Sequence, residues 1–139
     1  MKLETFGWDV DADGIAHAIF DVPGRSMNTL TGKAIADIIA ITKEVATNDA
    51  IKGLVISSGK PSGFCAGADL GEMNESAGSG GKPAAEMSEA ELKAAQFERG
   101  FSLNKTLRQL ETCGKPVACA LNGLALGGGL EVALAYHYR

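Results

Sequence analysis

The apolar positions form two short runs near the start of the chain. These runs, Phe6–Val10 and Ile15–Phe20, flank the turn dipeptide Asp13-Gly14. Two short extended runs joined by such a dipeptide are typical of a β-hairpin. The pattern therefore predicts that the chain opens with a pair of neighbouring strands.

Two longer segments have apolar residues at helical spacing. Thr31 can cap a helix over residues 32–47, and Ser88 with Glu91 has the spacing of a capping box ahead of a helix over residues 89–111. We expect the helical period to turn one set of apolar side chains of each helix toward a core. For the first helix these are Ile35, Ile38, Ile39 and Val45. For the second they are Leu92, Phe97, Phe101, Leu103, Leu107 and Leu110.

Two brief apolar runs, Leu54–Ile56 and Val117–Leu121, complete the core pattern. Short runs of this kind are expected of strands buried on both faces of a parallel sheet. A last helix is predicted from the glycines at 127–129 to the final residue. Residues 76–87 have almost no apolar side chains to bury and are predicted to form a surface loop. The order β-β-α-β-α-β-α favours an α/β fold, in which ligands bind beyond the carboxyl ends of the strands.

Composition and charge narrow the class of protein. The 139 residues leave room for one core, and 13 basic against 17 acidic residues give a formal charge of −4 without a basic cluster. We therefore expect no nucleic-acid partner. The three cysteines form no CxxC pair, and no apolar run approaches the length of a membrane span. We expect a cytoplasmic protein in a reducing compartment, with no membrane partner and no metal.

The candidate chemistry lies in two glycine-rich loops, Gly59–Leu70 and Asn122–Glu131, each of which leads from a predicted strand into a helix. Small residues let a ligand approach the main chain, and the unpaired N–H groups of a first helical turn point at a negative oxygen placed there. Two such donors aimed at one oxyanion suit acyl chemistry, and Ala68 and Gly128 are the candidates. The alternative is that these glycines only allow close packing of helix on strand.

Glu131 and Asp69 are the acidic candidates of these loops. A carboxylate one turn after a glycine run, in an apolar stretch, is costly to bury unless it has a partner or a task. Its other interpretation is a helix-start glutamate favoured by the helix dipole. Asp69 is a candidate to hydrogen-bond the loop that presents Ala68. Cys65 is interpreted as a small packing residue rather than a nucleophile, because no histidine is placed to activate it.

The ordered pair of segments Phe64–Leu70 and Asn122–Glu131 closely resembles the crotonase (enoyl-CoA hydratase/isomerase) superfamily. Pro23–Leu30 also resembles the Asn-x-Leu segment before that family's first helix, and Lys115–Val117 the run into its third strand. The amino-acid sequences of these segments are most similar to the amino-terminal hydratase part of bacterial multifunctional fatty-acid oxidation proteins. In those proteins a 3-hydroxyacyl-CoA dehydrogenase region follows.

The resemblance implies a fold and an activity. The fold would be a crotonase-like ββα spiral, truncated, with residues 1–139 as the amino-terminal portion of one enoyl-CoA hydratase domain. The reaction would be the syn-hydration of trans-2-enoyl-CoA to 3-hydroxyacyl-CoA, with no cofactor beyond the coenzyme A thioester that is the substrate. Besides acyl-CoA, the implied partners are further copies in a trimer-type homo-oligomer, or a larger fatty-acid oxidation complex.

The resemblance also implies roles for residues. Ala68 and Gly128 would donate their N–H groups to the thioester oxygen, and Glu131 would be one of two catalytic glutamates. The expected substrate- and coenzyme A-binding residues are Ser26, Met27, Ala66, Gly67, Asp69, Leu70 and Gly127. The family's second glutamate lies about twenty residues beyond the first, past Arg139, so we expect the 139-residue chain alone to be inactive. The alternatives are a non-catalytic acyl-CoA-binding or assembly module, and another crotonase-type reaction such as isomerisation or thioester hydrolysis.

Overall fold

The computed structural model of the protein describes residues 1–75 and 86–139, so the predicted surface loop lies almost wholly outside the described residues. Strands and helices alternate along the chain. In order they are β1 (Phe6–Val10), β2 (Ile15–Phe20), α1 (Gly32–Thr47), β3 (Gly53–Ser58), β4 (Gly63–Cys65), α2 (Leu70–Glu75), α3 (Glu89–Glu111), β5 (Val117–Ala120), β6 (Leu124–Ala125) and α4 (Gly128–Leu134).

The main sheet has the strand order β1-β2-β3-β5. The antiparallel pairing of β1 with β2 confirms the predicted hairpin, and β3 lies parallel to both β2 and β5. The register aligns small and branched side chains in rows across the strands, such as Ala18, Ile56 and Cys119, which are all buried. Val55, on the other face of β3, is only half-buried, so burial on both faces is not fully realised in this strand.

Helix α1 has the predicted bounds, and the Thr31 side chain accepts a hydrogen bond from the Ala34 N–H at 3.1 Å, as expected for a cap. Ile38 and Val45 are buried, but the expectation for Ile39 was wrong, because its side chain is 40% exposed. The buried stripe continues instead through Ile41. A step of 100° per residue brings positions 38, 41 and 45 onto one side and turns 39 away from it.

Helix α3 also has the predicted bounds, and Ser88 and Glu91 form the expected capping box. Leu107 and Leu110 are buried in the core, whereas Phe97 is 67% exposed, contrary to expectation. Phe101 is among the side chains that the structure does not describe. Of the described apolar positions on α3, the fully buried ones lie in its last two turns, which join the core formed with α1.

The last helix ends at Leu134, so the prediction that it runs to the final residue was wrong. The main chain beyond it returns to β5: the Val117 carbonyl accepts from the His137 and Tyr138 N–H groups at 3.0 and 3.2 Å, and the Cys119 N–H donates to the Tyr138 carbonyl at 2.8 Å. The outer edge of β5 would otherwise hold unpaired polar groups, and pairing them outweighs one more helical turn.

Three short elements were not predicted, namely β4, α2 and β6. Strands β4 and β6 pair with each other in a separate two-stranded parallel sheet. None of the helices in the described part of the chain is both long enough and apolar enough to cross a membrane.

Candidate functional site

Pairing of β4 with β6 brings the two glycine-rich loops side by side. Cys65 lies opposite Ala125, and the Leu126 N–H donates to the Cys65 carbonyl at 3.0 Å. Ala68 and Gly128 each follow three residues after this pair, so they occupy corresponding positions on neighbouring loops. The loops then enter α2 and α4.

A third segment, from Asn28 to Leu30, borders the first loop and fixes its course. The Leu30 N–H donates to the Gly67 carbonyl at 2.8 Å, and the Asp69 N–H donates to the Leu30 carbonyl at 3.3 Å. The Gly67 carbonyl and the Asp69 N–H, which flank Ala68 in the chain, therefore both point at Leu30. Because successive main-chain groups of an extended segment face opposite sides, the N–H of Ala68 itself points away from Leu30.

Within the described residues, neither the Ala68 N–H nor the Gly128 N–H has a hydrogen-bond acceptor. Gly128 begins α4, where the first N–H groups have no partner inside the helix. Each donor directly follows a glycine with positive φ, +97° at Gly67 and +47° at Gly127, a backbone conformation that other residues rarely adopt. Each loop thus presents one main-chain donor that directly follows a glycine with positive φ.

The two loops approach closely beside these donors because Gly67 has no side chain. A Cβ there would lie 2.9 Å from the Leu126 carbonyl oxygen and 3.6 Å from the Gly128 nitrogen. The Gly128 nitrogen is therefore close to the chain that carries Ala68. Two N–H groups on adjoining backbones can bind one negatively polarised oxygen.

Glu131 lies in the first turn of α4, and its carboxylate folds back toward the donor loop. Its Oε2 is 4.0 Å from the position that a Cβ on Gly128 would take. The side chain is exposed, so the argument from costly burial of a carboxylate was wrong for this residue. Its position in the first turn of α4 is also the one expected of a glutamate favoured by the helix dipole, so the geometry fits both interpretations.

The Asp69 carboxylate is buried and fully engaged by its neighbours. It accepts hydrogen bonds from the Glu72 N–H at 3.0 Å and from the Thr29 hydroxyl at 3.0 Å, and it forms an ion pair with Arg25 at 2.6 Å. The Glu72 N–H first, then the Thr29 hydroxyl and the Arg25 guanidinium, hold the pKa of the Asp69 carboxyl below its usual value. Its oxygens therefore act within the protein, where they tie the loop to α2 and to the segment before α1.

The remaining candidate binding residues border the same edge. Ser26 is exposed and Met27 is half-buried, and both contact Ser62: its hydroxyl donates to the Ser26 carbonyl at 2.5 Å and lies 3.6 Å from the Met27 sulfur. Ala66 is half-buried, and Leu70 is 73% exposed at the start of α2. The structure thus gathers these sequence-predicted residues around the loop that carries Ala68.

Asn28, the asparagine of the Asn-x-Leu segment, has a structural role that sequence reasoning did not assign. Its side chain is completely buried. The side-chain carbonyl accepts from the Val22 N–H at 2.9 Å, and the amide nitrogen lies 2.8 Å from the Phe20 carbonyl and 3.1 Å from the Phe64 carbonyl. Asn28 therefore joins the end of β2 to β4, and its own carbonyl accepts from the Ala66 N–H at 2.9 Å. An asparagine in a polar turn segment carries no local signal of such burial.

Cys65 is buried in the core cluster, which confirms that it is a packing residue. Burial raises the pKa of its thiol, so the thiolate that a nucleophile requires is disfavoured. In the part of the chain that the structure describes, no group of three or more His, Cys, Asp or Glu side chains is placed to hold a metal ion.

Comparison with known proteins agrees with this arrangement of loops. Residues 15–139 match the enoyl-CoA hydratase/isomerase family. The chain belongs to this family. Over 98% of its length it is 40% identical to the fatty acid oxidation complex subunit alpha of Shewanella amazonensis, and 38% identical to the protein of that name from Idiomarina loihiensis. It spans 17% of the length of each of these curated relatives.

The fold of this enoyl-CoA hydratase/isomerase family member is also found in solved structures. An enoyl-CoA hydratase from Bacillus anthracis superposes with a TM-score of 0.73 at 24% sequence identity. The superposition covers 97% of this chain and 46% of that one. The predicted crotonase-like α/β fold is thereby confirmed.

Proposed function

We propose that the protein serves as an enoyl-CoA hydratase, adding water in the syn sense to trans-2-enoyl-CoA to give 3-hydroxyacyl-CoA. The observation that carries the proposal is the pair of free N–H groups at Ala68 and Gly128, set on adjoining loops beside a carboxylate. Membership of the enoyl-CoA hydratase/isomerase family supports the reaction class. No cofactor is needed beyond the coenzyme A thioester itself.

In this proposal the two N–H groups bind the thioester oxygen. Addition of water at the β-carbon places negative charge on that oxygen, and donors that are already oriented stabilise it without reorganisation. Loss of one such donor typically costs about 3–4 kcal/mol of transition-state stabilisation. Gly67 and Gly127 contribute by allowing the backbone to turn each donor outward.

Glu131 is the proposed acid/base of this part of the site. A carboxylate close to the Gly128 donor can take a proton from the attacking water or exchange one at the α-carbon. Its exposure in the described chain allows contact with a bound substrate and water. Ser26, Met27, Ala66 and Leu70 would line the path of the coenzyme A moiety, and Asp69 would act through the loop.

We further propose that residues 1–139 form the amino-terminal portion of one hydratase domain whose second glutamate lies beyond Arg139. The coverage of 46% of a related hydratase chain supports this proposal. The chain alone would then lack half of the acid/base machinery. The intact protein would be cytoplasmic and would act as a homo-oligomer or within a larger fatty-acid oxidation complex. Mass measurement of the protein from its natural source tests the extent of the domain.

The activity is tested by Glu131→Gln in the intact protein, with crotonyl-CoA as substrate. Hydration should fall by several orders of magnitude while acyl-CoA binding is retained, because the amide keeps the shape but cannot exchange a proton. Glu111→Gln is the matched control, since this glutamate lies at the far end of α3 and pairs with Arg108. Unchanged turnover in Glu131→Gln would reject the assignment. Binding without turnover in the unaltered protein would instead favour an acyl-CoA-binding module, and release of free coenzyme A would favour a thioester hydrolase.

A further inference from the structure

Asp69 directly follows the Ala68 donor, and three groups bind its carboxylate. Only 6% of its side chain is exposed, whereas the side chain of its ion-pair partner Arg25 is 45% exposed. One carboxylate oxygen accepts from the Glu72 N–H, and the other binds both Arg25 and the Thr29 hydroxyl. Burial of this charge costs desolvation, and its three partners offset that cost. What distinguishes Asp69 is its place, directly after the Ala68 donor.

The main-chain bonds that hold Ala68 are unequal. On its amino side the Leu30 N–H meets the Gly67 carbonyl at 2.8 Å, but on its carboxyl side the Asp69 N–H meets the Leu30 carbonyl only at 3.3 Å. The bond on the carboxyl side of Ala68 is therefore the longer of the two. The Asp69 side chain adds contacts of 2.6 to 3.0 Å with Arg25, Thr29 and the Glu72 N–H, and these charge-assisted contacts further restrain the same part of the loop.

We propose that Asp69, held by Arg25 and Thr29, is a positioning residue that aims the Ala68 N–H at the thioester oxygen. The proposal rests on the proposed hydratase function. Asp69 itself does not touch the substrate: its side chain acts through the loop, and Arg25 and Thr29 connect the loop to the segment that precedes α1. Misdirection of a reacting group by about 1 Å can reduce turnover by about 100-fold.

The matched control is Asp37, another buried carboxylate with a threonine partner. Its Oδ2 accepts from the Thr5 hydroxyl and the Thr5 N–H, both at 2.7 Å, and from the Glu4 N–H at 3.0 Å. It joins α1 to the start of the chain, and its hydrogen bonds among the described residues go to Glu4 and Thr5 rather than to the donor loops. Asp37→Asn therefore reproduces the loss of a buried, hydrogen-bonded carboxylate without disturbing Ala68.

The experiment compares Asp69→Asn and Asp37→Asn in the intact protein. We expect Asp69→Asn to lower kcat for crotonyl-CoA by about 10- to 100-fold with KM changed by less than about threefold, since the orientation of a donor affects the transition state more than binding. The vibrational frequency of the bound thioester carbonyl should move toward its value in water, because the carbonyl is less polarised. Asp37→Asn should lose stability but keep kcat and the carbonyl frequency. Thr29→Val, which removes one hydroxyl donor, should give a smaller change in the same direction and does not depend on Asp69→Asn folding.

The outcomes separate the two proposals. If the unaltered protein hydrates crotonyl-CoA, and Asp69→Asn and Thr29→Val match Asp37→Asn in kcat and carbonyl frequency, the positioning role is overturned while the hydratase function stands. If the unaltered protein polarises a bound thioester without hydrating it, the hydratase function is overturned, and the carbonyl frequency alone decides the role of Asp69. Absence of any bound thioester overturns both.

Discussion

Replacement of Asn28 by alanine should be among the most damaging single changes outside the apolar core. The Asn28 side chain is completely buried and serves groups from separate parts of the chain: the Val22 N–H, the Phe20 and Phe64 carbonyls, and the Ser58 hydroxyl. Alanine can replace none of these contacts. Val22 and Phe64 are themselves buried, so their main-chain groups are poorly placed to find water instead.

The magnitude follows from the groups that are left without a partner. The Phe20 carbonyl still accepts from the Gly59 N–H at 2.9 Å, and the Ser58 hydroxyl keeps the Gly63 carbonyl at 2.7 Å. The Val22 N–H and the Phe64 carbonyl lose the Asn28 side chain outright. A buried polar group left unpaired costs about 1–3 kcal/mol, so the two together predict a loss of about 2–6 kcal/mol in the free energy of unfolding.

Urea unfolding of the chain, followed by the fluorescence of Trp8 in β1, measures this loss. With a typical slope of about 1–3 kcal/mol per M, a loss near 3 kcal/mol lowers the urea midpoint by about 1–3 M. Asn122→Ala is the matched control, because Asn122 is exposed and makes a single side-chain hydrogen bond, to the Lys60 carbonyl at 2.8 Å. It should cost less than about 1 kcal/mol.

Asn28→Asp provides a second, nearly isosteric test. The new carboxylate keeps an acceptor for Val22 but turns its other oxygen toward the Phe20 and Phe64 carbonyls, so burial and repulsion raise its pKa. A raised pKa in the folded state means that the variant is destabilised at neutral pH and regains stability relative to the unaltered chain as the pH falls. If both Asn28 variants unfold with the midpoint of Asn122→Ala, the hydrogen-bond reasoning is refuted.

Three further changes test other parts of the structure. Lys115→Met removes an ammonium group that donates to the Val45 and Asn48 carbonyls at the end of α1, at 2.7 and 2.8 Å, and should cost about 1–2 kcal/mol by urea unfolding. Asp69→Asn should destabilise the chain most at neutral pH. Because the pKa of Asp69 is lowered in the folded state, the difference in unfolding free energy from the unaltered chain should shrink as the pH falls below the ordinary aspartate value of 3.8. A difference that stays constant with pH would contradict this. His137→Ala removes the acceptor of the Val117 N–H at 3.0 Å, and hydrogen exchange should show faster exchange of that amide.

The long elements could be predicted because their signals are local. Thr31 and Ser88 cap α1 and α3 within three residues of their own positions, so the helix starts can be identified without tertiary structure. The exposed Ile39 and Phe97 show where this reasoning fails. Periodicity states that a helix has an apolar side, but the number of turns that are covered depends on which elements pack against it.

The short elements could not be predicted, and the site depends on them. Strands β4 and β6 have three and two residues, too few for any periodicity, and they exist because they pair with each other. The glycine-rich loops could be identified as candidates from their composition. Their adjacency, and the burial of Asn28 between β2 and β4, are properties of the folded chain alone.

Main-chain pairing, rather than side-chain chemistry, sets the geometry of the two donors. Cys65 and Ala125 lie opposite each other, and each donor follows three residues later on its own loop. Within the described part of the chain their N–H groups have no acceptor: the preceding glycines turn the chain at positive φ, and the Gly67 carbonyl and the Asp69 N–H are already bonded to Leu30. Side chains contribute indirectly: those of Asn28 and Asp69 form hydrogen bonds that hold the backbone next to the donors. The position of the two donors therefore depends on residues outside the glycine-rich motifs as well, and those motifs describe only part of the site.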